Sequence, residues 1–343
     1  MSEVARHAYG LHPRAAEGIT CIILGMMLFV GQDGLMKSLI GTFPIWILMG
    51  VRGLIALIIL APLIVALGAP HRLFTPLWPL HLLRAFMFAL GFSLFYTAFP
   101  FMTLAEVSTI FFSAPLMIAV LAALFLGEQV GMHRIAALIV GFIGVVIAMN
   151  PQVGGFRWVT LLPLLCAFSY AVSQILARQI GDRDSTLTTG LYTVVLSSIM
   201  LLTFGWAVNR FVDFGPELNH LRWQLPELSA DNTLMFVLLG AVGMVGYLFI
   251  SRAYQVTSAS LVAPFDYSYL PFAALMAYVV WNEVPGETTL IGMGLIVASG
   301  LYLGYRELRS NRRHIDPLPV AEATVAPGNP TAPISLHADI DAD

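Results

Sequence analysis

Apolar residues dominate the chain in long runs, and short polar stretches separate each run from the next. Ten of these runs have close to the ~20 residues with which an α-helix crosses the hydrocarbon layer of a membrane. The runs span residues 18–40, 44–68, 79–98, 103–126, 132–150, 157–180, 187–209, 232–254, 258–281 and 287–306. The pattern therefore predicts an all-α integral membrane protein with ten transmembrane helices.

Most of the polar breaks are only a few residues long, and the longest lies at residues 210–231, between the seventh and eighth runs. We expect two five-helix domains, at residues 18–150 and 157–306. A polar cytoplasmic segment at residues 1–17 precedes them, and a cytoplasmic tail at residues 307–343 follows. The tail begins with a basic patch and continues with many prolines and few apolar residues, which predicts disorder.

Composition supports a membrane protein and says little about partners. Of the 343 residues, 58% are hydrophobic and 11% are charged, whereas a soluble chain carries about 25% charged residues. The mean hydropathy is +0.82, and the net charge of −3 comes without a basic cluster that would indicate a nucleic-acid partner. Cys21 and Cys166 both lie inside apolar runs, so we interpret them as small packed residues and not as a disulfide.

Lysine and arginine are distributed unevenly between the two sides of the predicted membrane domain. An even number of spans puts both termini on one side, and that side receives most of the basic residues, including Arg84, Arg134 and Arg178. The opposite side receives few, among them Arg157 and Arg222. Because cytoplasmic loops carry an excess of Lys and Arg, we predict that both termini are cytoplasmic in a plasma or inner membrane.

Two stretches of the chain repeat at a constant shift of 155 positions. Residues 98–128 align with residues 253–283 without a gap, and Glu128 and Glu283 follow the long apolar run in each copy. Each half then holds five helices, and an odd number inserts the second half with opposite polarity. In transporters such inverted repeats place the solute site near the midplane, between the halves. The alternative is coincidence, since apolar runs resemble one another easily.

The first run also echoes the sixth, at a shift of 141 positions. Asp33 then aligns with Gln174, and Lys37 aligns with Arg178. At about 1.5 Å of rise per residue, Asp33 and an arginine of the second run, Arg52, lie roughly 10 to 12 Å below the same membrane face. Gln174 and Asp266 lie at similar depths from the opposite face, so the polar residues form two layers with aromatic residues around them.

Two copies of one sequence pattern carry a family resemblance. They are formed by residues 105–128 with 139–146 and by residues 259–283 with 292–304. Together with Lys37 and Arg52, they resemble the EamA domain of the drug/metabolite transporter superfamily. The resemblance implies two inverted five-helix repeats over about residues 18–306 and the export or import of small metabolites.

A narrower likeness involves three short strings in the second half. They are Arg252-Ala-Tyr254, Val262-Ala-Pro-Phe-Asp-Tyr267 and Glu283-Val-Pro285. These strings are similar to a subgroup of the superfamily that includes riboflavin and S-adenosylmethionine carriers. Gln32 and Asp33 depart from many relatives, which have apolar or small polar residues there, so the identity of the solute does not follow from the resemblance.

Asp266 is the charge around which the predicted solute site is organised. It lies in an otherwise apolar run between Pro264 and Pro271. Proline breaks in a membrane helix persist where protein or a water-filled cavity satisfies the freed backbone groups, and an ionisable residue at that depth indicates a functional site. We predict that Asp266 faces a central polar cavity, as a substrate counter-charge or a proton carrier. A structural carboxylate that binds freed backbone donors or a tyrosine is the alternative.

Asp33 and Arg52 are the next candidates for solute binding. Asp33 suits a substrate amine, but it also suits a buried ion pair with Arg52 or an i,i+4 pair with Lys37 on one helix face. Arg52 suits a substrate carboxylate, which it can bind through two parallel hydrogen bonds. A structural role for Arg52 is the alternative, because the family pattern places an arginine there in members of differing specificity. Lys37 and Arg178 end their helices, where a cation favours the helix dipole.

Several further residues are expected to line the cavity or to pack near it. The candidates are the polar Gln174 and the aromatic Tyr96, Phe111, Phe112, Tyr170, Tyr267 and Tyr269. Tyr269 follows Asp266 by three positions and is expected on the same helix face. Glu128 and Glu283 are interpreted as loop or cap residues, with a gate as the alternative. The small residues Gly141, Gly144, Gly300 and Gly304 permit close helix contact or a homodimer.

Other kinds of chemistry lack a motif in this sequence. There is no phosphate-binding Gly-x-x-x-x-Gly-Lys stretch, no His-Glu-x-x-His and no Cys/His cluster, so we expect no ATP-driven motor, no metal, no cofactor and no catalytic residues. His71, His81 and His133 are expected to be solvated near cytoplasmic helix ends. We predict a secondary transporter, surrounded by membrane lipid, for a small polar or zwitterionic metabolite. An intramembrane enzyme acting on a lipid or peptide, and a structural or receptor-like protein, are the rival functions.

Overall fold

The computed structural model describes residues 15–67, 74–126, 131–150, 157–184, 186–225, 227, 229–256 and 262–311. The secondary structure in these ranges is helical throughout. The α-helices are α1 (Ala15–Leu39), α2 (Ile45–Leu67), α3 (Trp78–Thr97), α4 (Leu104–Phe111), α5 (Ala114–Leu126), α6 (Met132–Ala148), α7 (Leu161–Ile180), α8 (Thr186–Phe211), α9 (Ala230–Val256), α10 (Tyr269–Trp281) and α11 (Glu287–Asn311). The prediction of an all-helical protein is therefore confirmed.

Eight helices in the described ranges are long and apolar enough to cross a membrane. They include α4 and α5 together, as one span at Leu104–Phe125. The two remaining predicted spans differ from the expectation in length and continuity. The fifth is the shorter apolar helix α6 of 17 residues. The ninth is divided into a 3-10 turn at Ala263–Ser268 and the 13-residue α10.

Local sequence explains where the interrupted helices start and stop. A capping box begins α4, because the Thr103 hydroxyl accepts from the Glu106 N–H at 3.1 Å and the Glu106 carboxylate accepts from the Thr103 N–H at 2.9 Å. Asn282 ends α10 in the left-handed conformation, with φ of 54°. The next N–H, of Glu283, donates to the Ala277 carbonyl at 3.0 Å, which fixes the chain beyond the helix.

The helices pack in pairs that join the first five predicted spans to the last five. The most extensive contacts are α1 with α9, α3 with α7, α6 with α11, α2 with α8, α3 with α8, α2 with α9, α5 with α7 and α1 with α10. In the described chain the buried apolar residues form one large cluster that extends through most of these pairs, with a smaller cluster between α5, α6 and α11. The core therefore lies between the two halves of the chain.

The connections sort the helix ends onto two faces. One face gathers the ends of α1, α3 and α10 around an open vestibule, and we call it the vestibule face. The opposite face carries the start of α1 and the end of α11, and we call it the terminal face.

The small residues noted in the sequence are used mainly within the chain. A side chain at Gly144 would meet the carbonyl of Gly292 on α11 at 3.0 Å, and one at Gly300 would collide with Tyr267. These glycines therefore permit the close packing of α11 on the rest of the fold. Several predictions concern residues outside the described ranges, namely those for residues 1–14, His71, Glu128 and the tail beyond Asn311.

Candidate functional site

A buried hydrogen-bonded network lies at the centre of the fold, around Asp33 of α1. Asp33 is 0% exposed. One of its carboxylate oxygens accepts from the Tyr96 hydroxyl of α3 at 2.8 Å, and the other accepts from the Tyr269 hydroxyl of α10 at 2.5 Å. Three helices from both halves of the chain thus converge on one carboxylate. Two donors satisfy this charge in an interior where an unsatisfied one would be costly.

Arg52 of α2 extends the network through Tyr96. Its Nη1 donates to the Tyr96 hydroxyl at 2.9 Å, and its guanidinium lies 5.6 Å from the centre of the same ring. The depth argument from the sequence brought Asp33 and Arg52 to one level, and both reach Tyr96. The ion pair considered as one alternative is not direct, because the tyrosine hydroxyl lies between the two charges.

A cavity of about 70 Å³ adjoins the arginine side of this network. The described residues of its lining that carry polar side-chain groups are Gln32, Arg52, Ser197, Ser198 and Tyr247. Gln32 is 1% exposed, and its Nε2 has no hydrogen-bond partner among the described residues. A narrow space lined by an unpartnered amide nitrogen and a guanidinium suits a small polar ligand or ordered water.

Asp266 lies in the 3-10 turn before α10 and is 5% exposed. Its Oδ2 accepts from the Tyr254 hydroxyl of α9 at 3.1 Å, and its Oδ1 has no partner in the described part of the chain. Asp266 is not among the described residues that line the 70 Å³ cavity. The expectation from i+3 spacing also changes, because Tyr269 binds Asp33 whereas Tyr254 binds Asp266.

The aromatic candidates surround these two carboxylates. Phe112 contacts Tyr267 and Tyr269, with ring centroids 5.6 Å apart in both pairs. Tyr170 of α7 is 1% exposed and packs edge-on against Phe111 at 5.6 Å. These rings form an aromatic wall between the halves of the chain. A planar group could stack on their flat faces.

Gln174 lies on α7 one turn beyond Tyr170 and is 6% exposed. The residue is therefore buried in the half of α7 that is nearer to the end of the helix, and its alignment with Asp33 stays a prediction.

The vestibule is an open space of about 630 Å³ at the vestibule face. Lys37 at its floor contacts both carboxylate oxygens of Glu283, at 2.7 and 2.6 Å, and donates to the Met102 carbonyl at 3.3 Å. The i,i+4 pair between Lys37 and Asp33 considered from the sequence is therefore not the ion pair that forms. This one joins the end of α1 to the connection between α10 and α11.

His220 lines the vestibule and is 7% exposed. Its ring packs edge-on against Phe101 at 6.0 Å, and its Nε2 has no described partner. Burial lowers the pKa of the His220 imidazole, and a hydrogen bond with the Thr97 backbone opposes that shift. The sequence analysis did not single out this residue, because the loop position of a lone histidine carries no signal.

Two residues of α3 at the terminal face are buried. Arg84, which the sequence assigns to the cytoplasmic side, is 1% exposed and donates to the carbonyls of Ser173 and Thr189 and to the Thr193 hydroxyl. The expectation that His81 is solvated is wrong, because His81 is 0% exposed. The two lie three positions apart on α3, which places them on one helix face.

Comparisons with known proteins agree with this architecture. The model of the EamA-like transporter family matches residues 16–150 and 157–305. A riboflavin transporter of Vibrio cholerae serotype O1 is 29% identical over 76% of this chain and 82% of its own length. An S-adenosylmethionine uptake transporter of Rickettsia conorii is 28% identical over 75% of this chain and 82% of its own length.

Solved structures share the fold. Among them, a crystal structure has a TM-score of 0.55 and 18% sequence identity, and the match covers 87% of this chain and 99% of the other. The two family matches together include all the residues of the buried network and both halves of the helix pairs described above. The chain therefore belongs to the EamA-like transporter family.

Proposed function

We propose that this protein is a secondary transporter that moves a small zwitterionic metabolite across a plasma or inner membrane by alternating access. The observation that carries the proposal is the network at Asp33. It draws a carboxylate, a guanidinium and two hydroxyls from α1, α2, α3 and α10, which belong to both halves of the chain. A site shared by two halves changes its access when the halves rock against each other.

An inverted repeat of two five-helix halves underlies this mechanism, and the packing supports it. A methyl group at Gly91 of α3 would lie 3.1 Å from Ser169 Cβ of α7, and one at Gly246 of α9 would lie 3.2 Å from Leu28 Cβ of α1. In each case the added methyl group would also lie 3.3 or 3.4 Å from a carbonyl oxygen of the facing helix, three positions before the first contact. Shifts of 155 and 141 positions convert one crossing into the other, and these are the shifts read from the sequence.

The pairing of whole helices supports the same repeat. Exchanging each of the first five spans for its counterpart converts the contact of α1 with α9 into that of α7 with α3, and the contact of α2 with α9 into that of α8 with α3. The pairs α2–α8 and α6–α11 convert into themselves. Phe112 and Tyr267, which align with each other, are in contact, as residues near a two-fold axis would be.

The chemistry of the network favours a solute that carries both charges. Tyr96 bridges Asp33 and Arg52, so an ammonium group can replace the hydroxyl at Asp33 while a carboxylate binds Arg52. The nearby aromatic rings favour a planar part of the same solute. The riboflavin and S-adenosylmethionine named for two relatives supply two planar probes, of which the second is zwitterionic.

Asp266 is the proposed site of proton coupling. The carboxylate is buried among membrane-spanning elements, accepts one hydrogen bond, and has one oxygen without a described partner. A lone charge at such depth is costly, and a proton removes it. Binding and release of that proton during the transport cycle would couple solute movement to the proton gradient.

Uptake by the purified full-length protein in liposomes tests the proposal. We expect flux of unaltered riboflavin or S-adenosylmethionine, driven faster by an imposed proton gradient. Asp266→Asn should transport at a rate that no longer responds to that gradient, and Tyr254→Phe, which keeps the carboxylate, should still respond. Uptake by Asp266→Asn with the wild-type response at every pH would remove Asp266 from the mechanism, and chemical conversion of the probe would favour an enzyme.

A further inference from the structure

A buried polar cluster at the terminal face has no part in the solute site. His81 lies near the start of α3, about 22 Å along the helix from Tyr96. Its Nε2 lies 3.0 Å from Oδ2 of Asp184, and the Thr75 hydroxyl donates to the same oxygen at 2.5 Å. The side chains of the pair are 0% and 1% exposed. The cluster ties the segment before α3 to the connection between α7 and α8.

Packing alone does not account for this cluster. His81 Nδ1 and Asp184 Oδ1 are buried and have no hydrogen-bond partner among the described residues. The Tyr192 ring stacks on the imidazole with centroids 4.7 Å apart, which shields that side from water. Each buried polar atom without a partner costs free energy, so an apolar pair of similar size would be the more stable choice.

The fold contains such an apolar pair at the equivalent position on the other face. The shift of 155 positions aligns His81 with Phe236, and the shift of 141 positions aligns Asp184 with Phe43. Phe43 and Phe236 are buried and in contact, with ring centroids 5.1 Å apart. The vestibule face therefore makes this contact with two phenylalanines, while the terminal face makes it with two titratable groups.

We propose that His81 and Asp184 form a proton-binding latch that holds the terminal face closed while one proton is bound. Histidine in general changes its charge between about pH 5 and 8. A proton on the imidazole gives a neutral, attractive pair, whereas its loss leaves a buried carboxylate without a compensating charge. That loss favours an opening in which water reaches Asp184. The latch rests on the proposed alternating access and adds a regulator apart from the solute site.

Few other ionisable groups in the described chain face the pair. On α3, Arg84 lies one turn further along and donates to the Thr189 carbonyl and the Thr193 hydroxyl. From α8, Tyr192 covers the ring. Arg183 follows the end of α7 beside the latch carboxylate in sequence, and its side chain is exposed. Of these groups, His81 and Asp184 are the two in direct contact with each other.

Spin-label distances across the latch test the proposal without any solute. The full-length protein in lipid nanodiscs carries Phe74→Cys and Gln179→Cys, two exposed positions beside the two joined segments, on a Cys21→Ser/Cys166→Ala background. Between about pH 5.5 and about pH 8, we expect the ratio of longer to shorter distances to rise about tenfold. A distribution that does not change with pH in this protein overturns the latch.

Two variants identify the titrating group. His81→Phe/Asp184→Phe copies the aromatic contact of the other face, so we expect a folded protein with one distance distribution at both pH values. His81→Gln still donates to Asp184 without titrating and should also give no pH response. A wild-type response in either variant overturns the proposal. Because no solute is used, a failed latch leaves the proposed transport standing, and absent uptake with an intact distance change refutes the solute proposal alone.

Discussion

At the residue scale, each buried charge of the candidate site has only a few hydrogen-bond partners. Asp33 has two hydroxyl donors, and Arg52 reaches it only through one of them. This arrangement keeps both charges tolerable in the protein interior. In the proposed mechanism it also leaves them available to a solute that offers stronger partners. A direct salt bridge would have to be broken first, at a larger cost.

We expect Asp33→Asn to discriminate between solutes. The amide keeps the size of the carboxylate and can bond both tyrosine hydroxyls, so the fold should be retained, but a cationic group loses its counter-charge. Uptake of S-adenosylmethionine, which carries cationic groups, should fall by about tenfold or more, the effect of losing one charged hydrogen bond. Uptake of uncharged riboflavin should change less.

The matched control for this prediction is Tyr269→Phe. It removes one of the two hydrogen bonds to Asp33 and leaves the charge, so it should affect both solutes to a similar degree. Equal losses of both solutes in Asp33→Asn would show that Asp33 holds the fold and does not bind an amine.

His220 makes stability depend on pH in a predictable direction. Because burial lowers its pKa, the folded chain holds a proton there less tightly than the unfolded chain does. Its contribution is complete above the ordinary value of about 6.5 and is lost as the pH falls through the lower pKa of the folded state. The melting temperature of the detergent-solubilised protein should therefore fall on acidification, and His220→Gln should show a smaller fall. An identical acid response in His220→Gln would contradict this assignment.

Counting residues from the ends of the predicted helices was enough to place Asp33 and Arg52 at a similar depth, because the rise per residue of a helix is nearly constant. It was not sufficient to show that Tyr96 joins them, since rotation about the helix axis decides which side chains meet. The sequence also placed His81 in solvent. Nearness to a helix end was taken there as exposure, although α7 and α8 cover that end of α3.

At the element scale, the two crossings at Gly91 and Gly246 determine how closely the halves approach. Each glycine faces a neighbouring helix so closely that even a methyl group would require the neighbour to shift, and a larger side chain would require more. Because the crossings are equivalent under the proposed repeat, the same substitution should lower the free energy of unfolding by a similar amount at both glycines.

We predict that Gly91→Val and Gly246→Val each destabilise the protein by about 1–3 kcal/mol, the usual effect of overpacking. Gly294→Val is the control, since nothing described lies within 4 Å of a side chain at that position. Thermal unfolding in the same detergent measures all three variants. A lower melting temperature in only one of the two variants at the crossings would contradict their equivalence.

The start of α4 was predicted to within one residue, at the position where Thr103 caps the helix. For the ninth span the sequence predicted only a break at the prolines. It did not predict that a 3-10 turn and a short helix would replace a continuous helix. The geometry of this span depends on the fit against α1 and α9, which neighbouring residues in sequence do not encode.

At the whole-molecule scale, the two faces differ in access. The vestibule face has an open space of about 630 Å³ above the Lys37–Glu283 pair, whereas the terminal face is joined by Arg84 and by the buried cluster at His81. Alternating access requires that these two conditions exchange during transport. The sequence predicted the two layers of polar residues but not which face is open, since both states use the same chain.

The basic residues predict the orientation of the whole molecule in the membrane, and this orientation can be tested. Phe74, which is 92% exposed, lies on the terminal face, and the exposed Glu217 lies in the vestibule. If both termini are cytoplasmic, a membrane-impermeant maleimide added to intact cells should label a Glu217→Cys variant and not a Phe74→Cys variant, each on a Cys21→Ser/Cys166→Ala background. Inside-out vesicles should reverse the result, because the reagent then reaches only the terminal face. Labelling of both variants from one side would contradict a membrane-spanning α3, because Phe74 precedes the start of this helix and the vestibule lies at its end.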